Sequence, residues 1–174
     1  MRKHGRILMN KPEERRAIIE GDVARIPLGE GGRQGYAIVD KEYAHLDKYC
    51  WQKHYEGYAQ ARIDGKIQRM HRVIASPKTT EQVDHKNHDT LDNRKSNLRV
   101  CSATENRRNR KKAKSNTTGY KGVVLASSKR YTAKLGYLGK KLHLGTYDTA
   151  IDAAKAYDRK AKQLHGEFAL LNFN

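Results

Sequence analysis

The chain has 174 residues, a formal net charge of +17 and 37% hydrophobic side chains, with an isoelectric point near 9.9. Such an excess of Lys and Arg points to a polyanionic partner, nucleic acid before any other, and the absence of an apolar run of about 18 residues, a lipidation signal or a strongly apolar amphipathic helix excludes a membrane partner. The hydrophobic fraction is low for one large core and fits two or three small cores bridged by basic segments. Cys50 and Cys101 stand too far apart for a disulfide framework, and the N-terminus turns charged too early for a secretory segment, so a cytoplasmic location is expected.

In chain order, residues 1 to 20 carry no strand period, and Lys11 to Glu20 suggests a short helix after Pro12 with Ala17, Ile18 and Ile19 as its apolar stripe. From Val23 to Arg72, short apolar runs alternate with Gly-rich breaks, and VARIPL, YAIVD, GYAQARI and IQRMHRVIA all read as strands. Asp64-Gly65 between two alternating runs predicts a hairpin. Asp40 to Trp51 carries Tyr43, Leu46, Tyr49 and Cys50 at near-helical spacing, a stripe best read as core.

Chemistry-bearing side chains crowd together only in Val83 to Arg110. Asp84 and His85 are adjacent, so in an extended segment they point to opposite faces, and one can bind a cation while the other faces a bond to be broken. Ser102 and Glu105 form a capping box that starts a helix carrying Asn106. A carboxylate and an amide oxygen are hard donors suited to Mg²⁺, and an ion held by two protein groups keeps positions for water and phosphate. A zinc site built on His71, His85 and His88 is the competing metal reading, but Cys-x-x-Cys spacing is missing, which argues against a closed structural zinc.

With Asp84-His85, the Asp92-Asn93 turn, Asn97-Leu98-Arg99, Asn106 and an upstream His71-Arg72, the chain resembles the HNH endonucleases, in particular the phage-type homing nucleases that carry Asn at the last motif position. That resemblance implies a ββα-metal fold around one divalent cation, Mg²⁺ or alternatively Mn²⁺. It makes His85 the general base, Asp84 and Asn106 the metal ligands, and Asn97 the brace that hydrogen-bonds across the turn to orient His85. The chemistry suits these types, because phosphodiester hydrolysis needs a base near neutral pH and a cation to relieve negative charge.

Residues 107 to 114 hold six Lys or Arg and no acid. Continuing the helix of Asn106, the side chains of Arg107, Arg108, Arg110, Lys111, Lys112 and Lys114 are expected to contact phosphates, the main source of sequence-independent affinity. SNTTG then reads as a flexible joint.

Beyond it, strand-like runs at Lys121 to Ala126, Tyr131 to Leu138 and Lys141 to Leu144 precede an Ala-rich helix. Thr149 and Asp152 begin that helix, Gly166 stops it, and Ile151, Ala154, Tyr157, Ala161 and Leu164 share a face. Tyr131, Ala133 and Leu135 alternate with Thr132, Lys134 and Gly136, so one face of the sheet packs on the helix and the other is basic. At GYKGV, HLGTYDT and AAKAYDRKA, this part resembles the APETALA/ethylene-response-factor type of DNA-binding domain, whose sheet enters the major groove. The resemblance makes Lys121, Lys134, Lys141 and His143, with Lys129 and Arg130 in the first turn, the DNA-facing candidates. Val124, Ala126, Ser128 and His143 stand where the plant pattern has further Arg and Trp, which shifts any base readout toward thymine-methyl contact by Val124 or Ala126.

The sequence therefore predicts an α+β chain in three parts: a β-rich segment over 1–70, an HNH core with basic linker over 71–114, and a three-stranded sheet with one packed helix over 115–174. The expected activity is metal-dependent cleavage of double-stranded DNA by a monomeric homing-type endonuclease. A non-catalytic DNA-binding regulator that keeps an HNH scaffold, and a restriction or defence nuclease, are the alternatives.

Overall fold

A computed structural model describes residues 16–173. The chain forms two compact units that meet between Cys101 and Ser102. The boundaries expected at 70/71 and 114/115 are therefore not where it divides. No helix among the described residues is long and apolar enough to cross a membrane.

The first unit contains three small sheets and a short helix. β1 (Ile18–Glu20), β2 (Val23–Pro27) and β3 (Tyr36–Asp40) form one antiparallel sheet, and β4 (Gln52–Lys53), β5 (Ala59–Ile63) and β6 (Lys66–Arg69) form another. The helix expected at Lys11 to Glu20 falls partly outside the described residues, and its remaining part, Ile18–Glu20, is strand. β-branched side chains favour that choice, because Ile18 and Ile19 pair with Arg25 and Ala24 across the hairpin. Asp64 and Gly65 make the predicted turn, with φ of 49° and 78°. Positive φ at both central residues is the twist that matches the flanking strands.

The run IQRMHRVIA, expected as one strand, divides after Arg69 into β6 and α1 (Met70–Ala75). Met70, His71 and Ile74 are all buried, and a strand would send the neighbours Met70 and His71 to opposite faces, whereas a helix keeps all three on one side. The stripe in 41–50 is only partly core. Over a 3-10 helix at Lys41–Lys48, Leu46 is buried, Tyr43 and Tyr49 are half-buried, and Cys50 is exposed. Trp51 anchors the segment, with Nε1 donating to the Leu46 carbonyl at 2.7 Å. β7 (Gln82–His85) and β8 (Leu98–Cys101) then pair antiparallel, and Val83 and Leu98 join the same core as Trp51 and Met70.

The second unit begins with α2 (Ala103–Arg108), whose capping box forms as predicted: the Ser102 hydroxyl accepts from Glu105 N, and a Glu105 carboxylate oxygen accepts from Ser102 N. The helix stops at Arg108, so the basic run does not continue it. Consecutive like charges at helical spacing oppose propagation, and Asn109 caps the end. β9 (Val123–Leu125), β10 (Tyr131–Tyr137) and β11 (Lys140–Tyr147) form an antiparallel sheet with β10 in the middle. α3 (Ala150–His165) packs on it through Ala153, Ala154, Ala156, Tyr157 and Ala161. The small Ala side chains let the helix approach closely. Ile151, expected on the packed face, is exposed, and Thr132, expected on the open face, is buried with its hydroxyl 3.3 Å from that of Thr146.

Gly122 shows why that approach is so close. It sits at φ +75°, and a Cβ there would collide with the Tyr157 ring and the Lys134 carbonyl. Gly122→Ala is therefore expected to cost the second unit about 3 to 5 kcal/mol, from left-handed backbone strain plus a displaced core ring. Thermal unfolding followed by near-ultraviolet dichroism measures this, and a loss within about 0.5 kcal/mol would contradict the packing.

Candidate active site

The β7–β8 hairpin places Asp84 and His85 on alternate sides of one strand, both buried. Arg99 lies directly opposite Asp84 across the ladder. Its Nε and Nη2 both donate to Asp84 Oδ2, at 2.9 and 2.6 Å, and the two side chains are about nine-tenths buried. This two-point grip fixes the carboxylate in position.

His85 has a different partner. Its Nε2 lies 3.4 Å from Asn93 Oδ1. The Asn93 amide is held from its other end, where Nδ2 donates to the Leu91 carbonyl at 3.0 Å, and that bond turns the oxygen toward the imidazole. Because an amide oxygen only accepts, Nε2 carries the proton and Nδ1 keeps the lone pair. Burial holds the imidazole below its ordinary pKa, opposed by the Asn93 bond and by the carboxylates of Asp84, Asp89 and Asp92. A neutral ring with its lone pair on Nδ1 can accept a proton near neutral pH.

Asn97 is expected to hydrogen-bond across the turn and orient His85, and the structure divides that work between two residues. Asn97 does brace the loop, since its Oδ1 accepts from Asn87 N at 3.0 Å and its Nδ2 donates to the Asp92 carbonyl at 2.7 Å. The imidazole contact comes from Asn93, in the Asp92-Asn93 turn. The Asp92 side chain, 2% exposed, accepts from Asn87 Nδ2 and from Arg94 Nε and Nη2 at 2.7 to 2.9 Å. The Arg94 guanidinium holds that carboxyl below its usual range. Two backbone bonds fasten the loop to β3, from Ile38 N to Leu91 O and from Asn93 N to Ile38 O.

A further residue joins the site from α1. The His71 ring meets the His85 ring edge-on at 5.2 Å, and Tyr58 lies at 5.1 Å from His71 and 5.9 Å from His85. Arg69 stacks its guanidinium over Tyr58 at 4.6 Å. His71 Nδ1 is buried and makes no hydrogen bond among the described residues. Burial, then the neighbouring His85, Arg69 and Arg72, push the His71 pKa down to about 3.

As for a metal, no group of three or more His, Cys, Asp or Glu side chains is gathered around one point among the described residues. Asp84, expected to bind a cation, lies in this unit with its carboxylate held by Arg99, and Asn106, expected to bind it too, lies on α2 of the second unit. A carboxylate and an amide each offer the hard oxygen that Mg²⁺ prefers.

In the second unit, Lys134, Lys141 and His143 are exposed on the sheet, with Lys134 opposite His143 and Gly136 opposite Lys141. Lys129 and Arg130 are exposed, Arg130 donating to Asp148 at 2.8 Å. Arg107, Arg110, Lys111, Lys112 and Lys114 are also exposed and Arg108 is half-buried. Lys121 differs from the expectation. Its amine is half-buried and donates to the Arg108 carbonyl at 2.6 Å, so it does not stand on the open face.

A family profile described as HNH endonuclease matches residues 69–108, which span α1, the hairpin and α2. An uncharacterized HNH endonuclease of Acanthamoeba polyphaga mimivirus is 32% identical over 162 residues, covering 89% of this chain and 83% of that protein. The chain belongs to the HNH endonuclease family. It is a nuclease that acts on phosphodiester bonds, and members of this family generally work with a divalent metal. A stretch of 56 residues is 45% identical to APETALA2-like protein 2 of rice, in both Oryza sativa subsp. indica and subsp. japonica. It covers 31% of this chain and only 13% of those proteins.

The buried imidazoles of this HNH endonuclease fix how its first unit responds to acid. Unfolded, His71 titrates near 6.5, and folded it titrates near 3. Between those values the unfolded chain binds more protons, so stability is complete above about pH 6.5 and falls toward pH 3. His85 acts in the same direction. Going from pH 7.5 to 5 should remove about 2 kcal/mol through His71 alone. Fluorescence of Trp51, the chain's single tryptophan, reports on this unit. His71→Phe should flatten the pH dependence while keeping the ring contacts. An unchanged slope would contradict the burial argument.

Proposed function

We propose that the chain is a metal-dependent endonuclease of the homing type that hydrolyses double-stranded DNA, acting as a monomer in the cytoplasm of a host cell. His85 is the general base, and Asp84 with Asn106 holds the cation, Mg²⁺ in the first instance with Mn²⁺ as a substitute. What carries the reading is the fixed imidazole: a buried, neutral His85 whose Nε2 faces an amide oxygen, next to a carboxylate clamped by Arg99. The β7–β8 hairpin followed in sequence by α2 supports a ββα-metal arrangement.

In the proposed reaction, Nδ1 of His85 removes a proton from a water as the water oxygen forms its bond to phosphorus. The bond from phosphorus to the leaving sugar oxygen breaks, and that oxygen takes its proton from solvent. A divalent ion, when bound, neutralises charge on the phosphate and on the leaving oxygen. Asn93 keeps the proton on Nε2, so that Nδ1 stays basic through the step. Asn97 and Asp92 keep the loop from relaxing away from it. The exposed cations of 107–114 would neutralise backbone phosphates, and the sheet carrying Lys134, Lys141 and His143 would position the duplex. Support for that last role comes from the partial likeness to APETALA2-like protein 2.

Incubation with supercoiled plasmid and Mg²⁺, scored for nicked and linear product, tests this reading. His85→Ala should lower the cleavage rate about 10² to 10⁴-fold with DNA affinity nearly unchanged. Excess EDTA should stop cleavage by the unmodified chain. Full activity in EDTA, or a folded His85→Ala protein within a few fold of the parent, would refute the proposal.

A further inference from the structure

The second unit holds a cavity of about 610 Å³ whose lining joins some of the cations proposed above as phosphate contacts to a buried histidine with no role so far. It opens between the end of α2, the β10–β11 turn and the end of α3, and its charged lining is entirely basic: Arg107, Arg108, Lys121, Lys140, Lys141 and His165. Lys140 and Lys141 are exposed, Arg108 and Lys121 are half-buried, and His165 is more than nine-tenths buried. The turn between the two lysines and Tyr137 is held by Leu138 and Gly139, both at positive φ. That geometry keeps both amines on a short, stiff arm.

His165 is the informative residue. One ring nitrogen bonds the Gly136 main chain, while Nε2 is buried and has no hydrogen-bond partner among the described residues. The ring is stacked on Tyr137 at 6.1 Å, so Nε2 cannot swing out to water without losing that contact. A buried polar atom without a partner costs about 1 to 3 kcal/mol, and such atoms concentrate where a ligand belongs.

The electrostatics lead to the same place. Burial lowers the His165 pKa first, followed by the cations of Arg108 and Lys121. Lys121 is itself pushed down to about 8 by burial. Asp158 is the acid that bears on Lys121, but its two oxygens accept from Asn172 N and Phe173 N at 2.9 Å and from Asn172 Nδ2 at 3.0 Å. Cations are thus gathered around a buried imidazole, and the nearby carboxylate is committed to the C-terminal segment.

We propose that this pocket is a phosphate-binding site, in which Arg108, Lys121 and His165 on the buried side and Lys140 and Lys141 on the exposed side take one phosphate group of a nucleic acid. Phosphate offers several acceptor oxygens to donors that converge from different elements, which a single carboxylate does not. On binding, His165 takes a proton from solvent and donates from Nε2 to a phosphate oxygen. The site is distinct from the chemistry assigned to His85, and it stands whether or not the first unit cleaves DNA.

The test is histidine side-chain NMR on the full chain in EDTA, titrated with inorganic phosphate at constant ionic strength. The His165 signals should move saturably and its pKa should rise, while exposed His143 follows ionic strength only. Lys121→Met should weaken the response about tenfold or more, the usual effect of losing one charge-assisted hydrogen bond. Lys141→Met, on the exposed side, provides a second variant whose fold is not in question and should weaken it in the same direction. A 5′-phosphorylated mononucleotide and a duplex without terminal phosphates then separate the sources. Competition by the duplex assigns the pocket to the backbone, and competition by the mononucleotide alone assigns it to a terminal phosphate. The proposal is overturned if His165 moves no more than His143, or if neither lysine substitution changes its response.

Discussion

The carboxylate of Asp92 is the point from which the hairpin loop hangs. Buried inside a segment rich in Asn and Asp, it accepts from Asn87 and Arg94, while its own carbonyl accepts from Asn97. With the Arg94 side chain 39% exposed, this ion pair adds little to net stability, because solvent screens the guanidinium and desolvation of the carboxylate offsets the attraction. What it supplies is geometry, for breaking it would leave a buried charge unpaired. Asn93, the next residue, is thereby held with its amide oxygen toward His85, and the tautomer of that ring follows from a bond two steps removed from it.

The rest of the first unit is arranged to keep that loop still. β3 binds it through both main-chain groups of Ile38, and Thr90 donates to the Gly57 carbonyl at 3.0 Å. A core running from Trp51 through Met70 to Val83 and Leu98 then joins the N-terminal sheets to the strands of the hairpin. The β-rich segment is for this reason part of the same unit as the β7–β8 hairpin. It also buries the two imidazoles against each other, which costs acid stability and favours the neutral form of both rings. In the second unit a close helix-on-sheet contact, which needs glycine at 122, leaves basic side chains on the outside of the sheet and around the cavity.

Much of this was legible in the residues. Asp64-Gly65, the capping box at Ser102, the side-chain cap at Thr149 and the strands of both units follow from local rules, because turns and caps are satisfied within a few residues. The stretch that the HNH endonuclease profile matches, 69–108, was legible as one unit in the sequence. What local rules miss is set by tertiary partners. MHRVIA has β-branched residues and alternation enough for a strand, and it becomes helix because the neighbours Met70 and His71 are buried together with Ile74, a set that a strand would split between its two faces. Asn93 and Asn97 are the same residue type four positions apart, and only the folded loop tells which one meets the imidazole. Lys121 reads as a surface cation until the Arg108 carbonyl is seen above it. Ile151 fits the apolar face by spacing, yet the Ala residues beside it fill the contact and leave it exposed.

The central claim is that the loop delivers a neutral His85 with its proton on Nε2 and its lone pair on Nδ1. Nitrogen-15 spectra of the histidine side chains in the intact chain at pH 7, assigned through His85→Gln, measure this directly. The account predicts a protonated-type shift for Nε2 and an unprotonated-type shift for Nδ1, with the pattern lost in Asn93→Ala. A ring protonated on both nitrogens at that pH, or one carrying its proton on Nδ1, would contradict it.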